Sequence, residues 1–225
     1  MRMSFFFCNF AADFIFRRKI KPMRFVFASN NAHKLAEVRQ IMPAGIEVLS
    51  LRDIGFDRDI EETGLTLAEN SAIKAREVAA FIREDMHIDG VFADDTGLEI
   101  DALGGEPGVY TARWAERETG VHLSEMETYA ANRQKALREL AGKSNRAGQF
   151  KTVITLIRGA EEVQVEGIVR GRITEEEHGQ GGFGYDPIFV PEGYDKTFGE
   201  LPAEIKNSIS HRARALEALI KLLEK

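Results

Sequence analysis

Short apolar runs alternate with helix-spaced apolar stripes along this chain, and strands and helices taken in turn build α/β folds. Residues 25–28, Phe25-Val26-Phe27-Ala28, predict a buried strand. Leu35, Val38, Ile41 and Met42 predict a helix over 34–42 that Pro43 stops. A second strand is expected over 46–51. Thr66 and Glu69 have capping-box spacing, so a helix should open there and run to Ile82. Strands are expected at 91–93 and 98–100, with Asp94-Asp95-Thr96-Gly97 turning between them. A helix over 124–140 should end at Gly142, and 153–157 should pair with 163–169 as a hairpin. Leu216, Leu219, Ile220 and Leu223 stripe a last helix that Ser210 can cap. No repeat or low-complexity linker divides the chain, so 23–225 reads as a single two-lobed unit.

Forty-four per cent hydrophobic and 29% charged residues exclude disorder and fibrous architecture. Thirty basic against 36 acidic residues give a net charge of −6, which argues against a broad duplex-DNA surface and leaves only a local basic pocket for a polyanion. The single cysteine, Cys8, excludes an intramolecular disulfide framework and a multi-cysteine zinc site, and a cytoplasmic location is expected. Residues 1–22 are expected to be a non-core extension, with Met23 as the working start. Asn9 and Asp13 break the apolar run from Phe5 to Phe16, which is too short to span a bilayer. Most of its positive charge follows the run, where a signal peptide needs it before. Neither nucleic acid nor a membrane is an expected partner.

Three familiar patterns are set aside. Gly179-Gln180-Gly181-Gly182-Phe183-Gly184 has the letters of a dinucleotide fingerprint, but Pro187 and its β-prone neighbours follow where a helix must begin. Gly142-Lys143-Ser144 lacks the first glycine of a P-loop, since Leu137 stands there. Glu175-Glu176-Glu177-His178 lacks zinc spacing.

The informative residues lie where strands end. Ser29-Asn30-Asn31-Ala32-His33-Lys34 leads from a strand into a helix, so backbone amides, hydroxyls and the Lys34 charge can meet an anion there; simple capping is the other reading. Glu61-Glu62-Thr63-Gly64 precedes the helix that carries Asn70 and Lys74 four residues apart on one face. Asp94 and Asp95 are mutually repulsive unless a cation or hydrogen bonds stabilise them. A magnesium ion would supply that cation, and a tight turn capped by aspartates is the alternative.

Taken with Gly104-Gly105-x-Pro107-Gly108-Val109-Tyr110-x-x-Arg113, Gly182-Phe183-Gly184-Tyr185-Asp186-Pro187 and Lys206-Asn207-x-x-Ser210-His211-Arg212, these strings resemble the inosine triphosphate pyrophosphatase family, the XTP/dITP diphosphatases. They stand in family order from residue 24 to about 223, and Thr96 replaces the serine of many members. The resemblance implies a two-lobed α/β enzyme with a mixed central sheet, flanking helices and a cleft between the lobes. It implies a homodimer that uses Mg2+ to split a purine nucleoside triphosphate into monophosphate and pyrophosphate. On the family's pattern Ser29, Asn30, Asn31, Ala32, His33 and Lys34 hold the triphosphate with help from Lys74. Glu62 and Asp95 serve the metal, Asp95 also activates the water, and Thr96 contacts substrate. Phe183, Gly184, Tyr185, Asp186, Lys206, His211 and Arg212 form the nucleoside pocket.

That pocket has a chemical logic. Phe183 can stack on a purine, while Lys206, His211, Arg212 and amides near Gly184 can donate to a 6-oxo group. Adenine presents a 6-amino donor and leaves them unpaired. Core packing is the competing reading of Phe183, Tyr185 and Phe189, and the better one for Phe189. A Maf-like pyrophosphatase and a nucleotide-binding regulator without turnover are the rival functions.

Overall fold

The structure, a computed structural model, describes residues 21–224. Most of the expected extension, with Cys8, therefore lies outside the described residues. The chain forms β1 (Met23–Phe27), α1 (Ala32–Ile41), β2 (Ile46–Leu49), α2 (Leu67–Phe81), β3 (Gly90–Ile100) and β4 (Pro107–Gly108). It continues with α3 (Trp114–Thr119), α4 (Glu125–Glu139), β5 (Ala147–Arg158), β6 (Glu161–Ile173), β7 (Phe189–Pro191), α5 (Ala203–Ile209) and α6 (His211–Leu223). The sheet has seven strands ordered β2-β1-β3-β5-β6-β7, with β4 beside β3. β1 runs parallel to β2 and β3, and the other pairings are antiparallel. The expected mixed α/β fold is borne out.

Strand periodicity builds the layers. Phe25, Phe27 and Phe92 face α1 and α6, where they pack with Val38, Ala215, Leu216 and Leu219. Val26, Ala28, Val91 and Ala93 face the other way, onto Ala75 and Val78 of α2. A separate core of Leu98, Ile100, Phe150, Ile173 and Phe189 packs under α4 through Ala136 and Leu140 and makes the second lobe. Phe189 is fully buried there, as the packing reading expects.

Several boundaries differ from expectation. Asp94 to Gly97 do not turn: β3 runs unbroken through them and pairs with β5 along its length. The hairpin is longer than expected, with β5 and β6 joined across Gly159 and Ala160. The first helix begins two residues early because Asn31 caps it, and α3 and α5 are additional.

Candidate active site

The unbroken run of β3 decides what its two aspartates do. Successive strand residues face opposite sides of the sheet, so Asp94 follows Phe92 toward α1 and α6, while Asp95 follows Ala93 toward α2. The pair is thereby separated, and the chain's own cations meet each member. Asp94 accepts from Lys34 Nζ at 2.9 Å and from Arg212 Nε at 3.0 Å. Burial works to raise its carboxyl, yet Lys34, Arg212 and Lys74 together hold it well below the usual carboxylate range. Asp95 accepts from Lys74 Nζ at 2.9 Å, and the same ammonium donates to Glu62 at 2.8 Å. Burial outweighs Lys74 and Lys34 at Asp95 and pushes its carboxyl up. Two neighbouring carboxylates thus differ in basicity because they face different layers. Asp94 and Asp95, on opposite faces of the sheet, therefore do not share one cation, whereas Asp95 and Glu62 meet at Lys74.

The strand-to-helix turn is built around Asn31. Its Oδ1 accepts the Lys34 N–H at 2.9 Å and caps α1, and Ser29 Oγ accepts the Asn31 N–H at 3.3 Å. Asn70 fixes the acidic loop by accepting the Gly64 N–H at 2.8 Å. Ser29, Asn30, Asn31, Lys34, Glu62, Lys74, Asp95 and Thr96 line one end of a cleft of about 410 Å³. Phe183, Gly184, Tyr185, Asp186, Lys206, His211 and Arg212 line the other. Ala32 opens α1 outside the wall, and His33 lies at the rim, its ring stacked on Phe183 at 5.3 Å and 15°.

At the second end, several groups expected to greet a base are already engaged. Lys206 Nζ donates to Glu37 and Asp186, each at 2.6 Å, and lies 4.7 Å from the Phe183 ring centre. The Phe183 N–H donates to Asp186 at 2.7 Å, and Gly182 approaches so closely that a Cβ there would fall 1.9 Å from the same carboxylate. The Tyr185 hydroxyl donates to the Thr111 carbonyl at 3.0 Å, so its ring is a buried wall of the cleft. Arg212 is 1% exposed and donates to Asp94 and Glu37; these anions offset the penalty of a cation at the start of α6. His211 stacks on Phe150 at 4.7 Å, and its buried Nδ1 has no partner. Burial, then Arg212 and Lys206, push its pKa well below the ordinary value, leaving a neutral ring.

Glu37 and Tyr129 were not expected here. Glu37 lies three residues after Lys34 on α1, a spacing that places both on one helix face. Tyr129 reaches the cleft from α4 and carries no local signal. Among the described residues no three His, Cys, Asp or Glu side chains converge to hold a metal, and no helix is long and apolar enough to cross a membrane. Glu62 and Asp95 are the carboxylate pair placed to share a hard cation, since both converge on the single Lys74 ammonium.

The Ham1 family profile matches residues 25–222. A Flavobacterium johnsoniae protein named dITP/XTP pyrophosphatase is 48% identical over 201 residues, covering 89% of this chain and 98% of its own. A Bacillus subtilis protein of the same name is 46% identical over 203 residues, with 88% and 96% covered. The structure of the Staphylococcus aureus Ham1 protein superposes with a TM-score of 0.75 at 37% identity, covering 89% of this chain and 98% of that one. Profile, relatives and fold coincide over the same stretch that forms the cleft, and on that ground the chain belongs to the Ham1 family.

Proposed function

We propose that the protein hydrolyses noncanonical purine nucleoside triphosphates, namely ITP, dITP and XTP, to the monophosphate and pyrophosphate, cleansing the nucleotide pool. The observation that carries this reading is one cleft lined both by Lys34, Lys74, Glu62 and Asp95 and by Phe183, Lys206 and Arg212. Lys34 and Lys74 stabilise the polyphosphate locally although the chain as a whole is acidic. Asp95, on the cleft wall beside Lys74 and Glu62, accepts the proton of the attacking water. Phe183 offers a face to the purine, while Lys206, His211 and Arg212 favour a 6-oxo acceptor over a 6-amino donor. Names borne by the relatives fit this chemistry, and the Maf-like and non-catalytic alternatives are not favoured.

Magnesium is the metal this reading calls for, with Glu62 and Asp95 holding it. When bound it supplies charge to the polyphosphate and polarises a phosphoryl oxygen. A cytoplasmic homodimer completes the reading. The test incubates the protein with magnesium and ITP, dITP, XTP, GTP, ATP or pyrimidine triphosphates and measures pyrophosphate against orthophosphate. Pyrophosphate released preferentially from ITP, dITP and XTP is expected. Orthophosphate as the main product, or indifference to the 6-position, refutes the reading.

A further inference from the structure

Alternating buried charges join the two ends of the cleft. From the phosphate end, Lys34 donates to one oxygen of Asp94 at 2.9 Å, and Arg212 Nε donates to the other at 3.0 Å. Arg212 Nη1 then donates to one oxygen of Glu37, whose second oxygen accepts from Lys206 at 2.6 Å. Lys206 ends the series on Asp186, which also holds the Phe183 N–H. Each inner carboxylate is shared by two cations, and the links come from α1, β3, α6, α1 again and α5 in turn. Arg212 and Asp94 are each 1% exposed, and Lys206 is 5% exposed. Moving one member leaves another buried charge unpaired, which is strongly disfavoured, so members move together.

We propose that Glu37 and Asp94 are positioning residues that couple recognition of the nucleobase to alignment of the triphosphate. This rests on the substrate reading above. A 6-oxo base accepts from Lys206 and Arg212 and fixes where they lie. A 6-amino base presents donor against donor and pushes them back. Through Glu37 and Asp94 that displacement reaches Lys34, so a wrong base lowers turnover as well as binding. Electrostatic sharing is the means of transmission, and Thr96 Oγ, 2.8 Å from Thr152 Oγ and 3.4 Å from Arg212 Nη2, steadies the midpoint.

Steady-state kcat and KM for ITP and ATP, measured on wild type, Glu37→Gln, Asp94→Asn and the double variant, test the coupling; thermal melts report folding. Glu37→Gln should lower kcat for ITP about tenfold while changing kcat for ATP by less than about twofold, shrinking the ratio between them. The double variant should be no worse than the poorer single one, because the residues act in series. A raised KM for ITP with unchanged kcat makes Glu37 a support for base binding alone and overturns the coupling. Equal losses on both nucleotides, or additive losses in the double variant, overturn it too. Should Asp94→Asn fail to fold, the kcat ratio of Glu37→Gln decides alone. A wild type indifferent to the base sinks the substrate reading and the coupling with it; a selective wild type with an unchanged ratio in Glu37→Gln sinks only the coupling.

Discussion

The Asn31 side chain ties the lobes together: its Nδ2 donates to the Tyr129 hydroxyl at 3.0 Å, across 98 residues of sequence. The same amide donates to Glu125 Oε1 at 3.2 Å, and Tyr129 donates to that oxygen as well. A carboxylate on α4 therefore faces the turn proposed to receive a triphosphate.

Glu125→Gln should strengthen substrate binding, because it removes a like charge from the entrance while leaving an acceptor for Asn31. Glu125 is exposed, so solvent and salt screen the repulsion, and KM should fall only about threefold at low ionic strength. Repeating the measurement at high salt should erase the difference. An unchanged KM at low salt removes Glu125 from the entrance.

Asp95→Asn should cut kcat by about 100-fold or more, the usual consequence of losing a general base. Lys74 would still have Glu62 as a partner at 2.8 Å, so the melt should stay near wild type. Near-normal turnover in Asp95→Asn excludes it as the proton acceptor.

Local chemistry was the readable part of this sequence. Thr66 and Glu69 satisfy each other's amides at 3.0 and 3.1 Å, as their spacing implies, because every partner lies within one turn. Asp94-Asp95-Thr96-Gly97 misled for the complementary reason: its composition is that of a turn, and its partners are remote. Lys34 is 60 residues from Asp94 and Arg212 is 118, so nothing nearby indicates that the carboxylate can stay in a buried strand. Glu37 was obscured likewise, since a helical glutamate reads as a solvated face until Lys206 and Arg212 are folded against it.

His211 should make the fold sensitive to mild acid. Burial, with Arg212 and Lys206, holds its folded pKa well below 6.5, whereas the unfolded ring titrates at the ordinary value. Below about pH 6.5 the unfolded chain binds the extra proton, so the contribution is complete above that pH and is lost as pH falls. Denaturant unfolding of wild type and His211→Gln should show their difference constant above pH 7.5 and changing by about 1.4 kcal/mol per pH unit below 6.5. Parallel curves throughout exclude His211 as the source.

Gly167 sets how closely α6 lies on the sheet. A Cβ on this β6 residue would come within 2.1 Å of the His211 carbonyl oxygen and 2.4 Å of the Ala215 nitrogen, both backbone atoms that cannot swing aside. Gly167→Ala must therefore lift the first turn of α6, which carries His211 and Arg212. Overpacking of this kind costs about 1–3 kcal/mol, and displacing Arg212 and His211 should raise KM for ITP. Gly45→Ala, where nothing lies within 4 Å, is the control and should change neither quantity. If Gly167→Ala melts like wild type and binds ITP normally, the close approach of α6 does not hold the base end of the cleft in place.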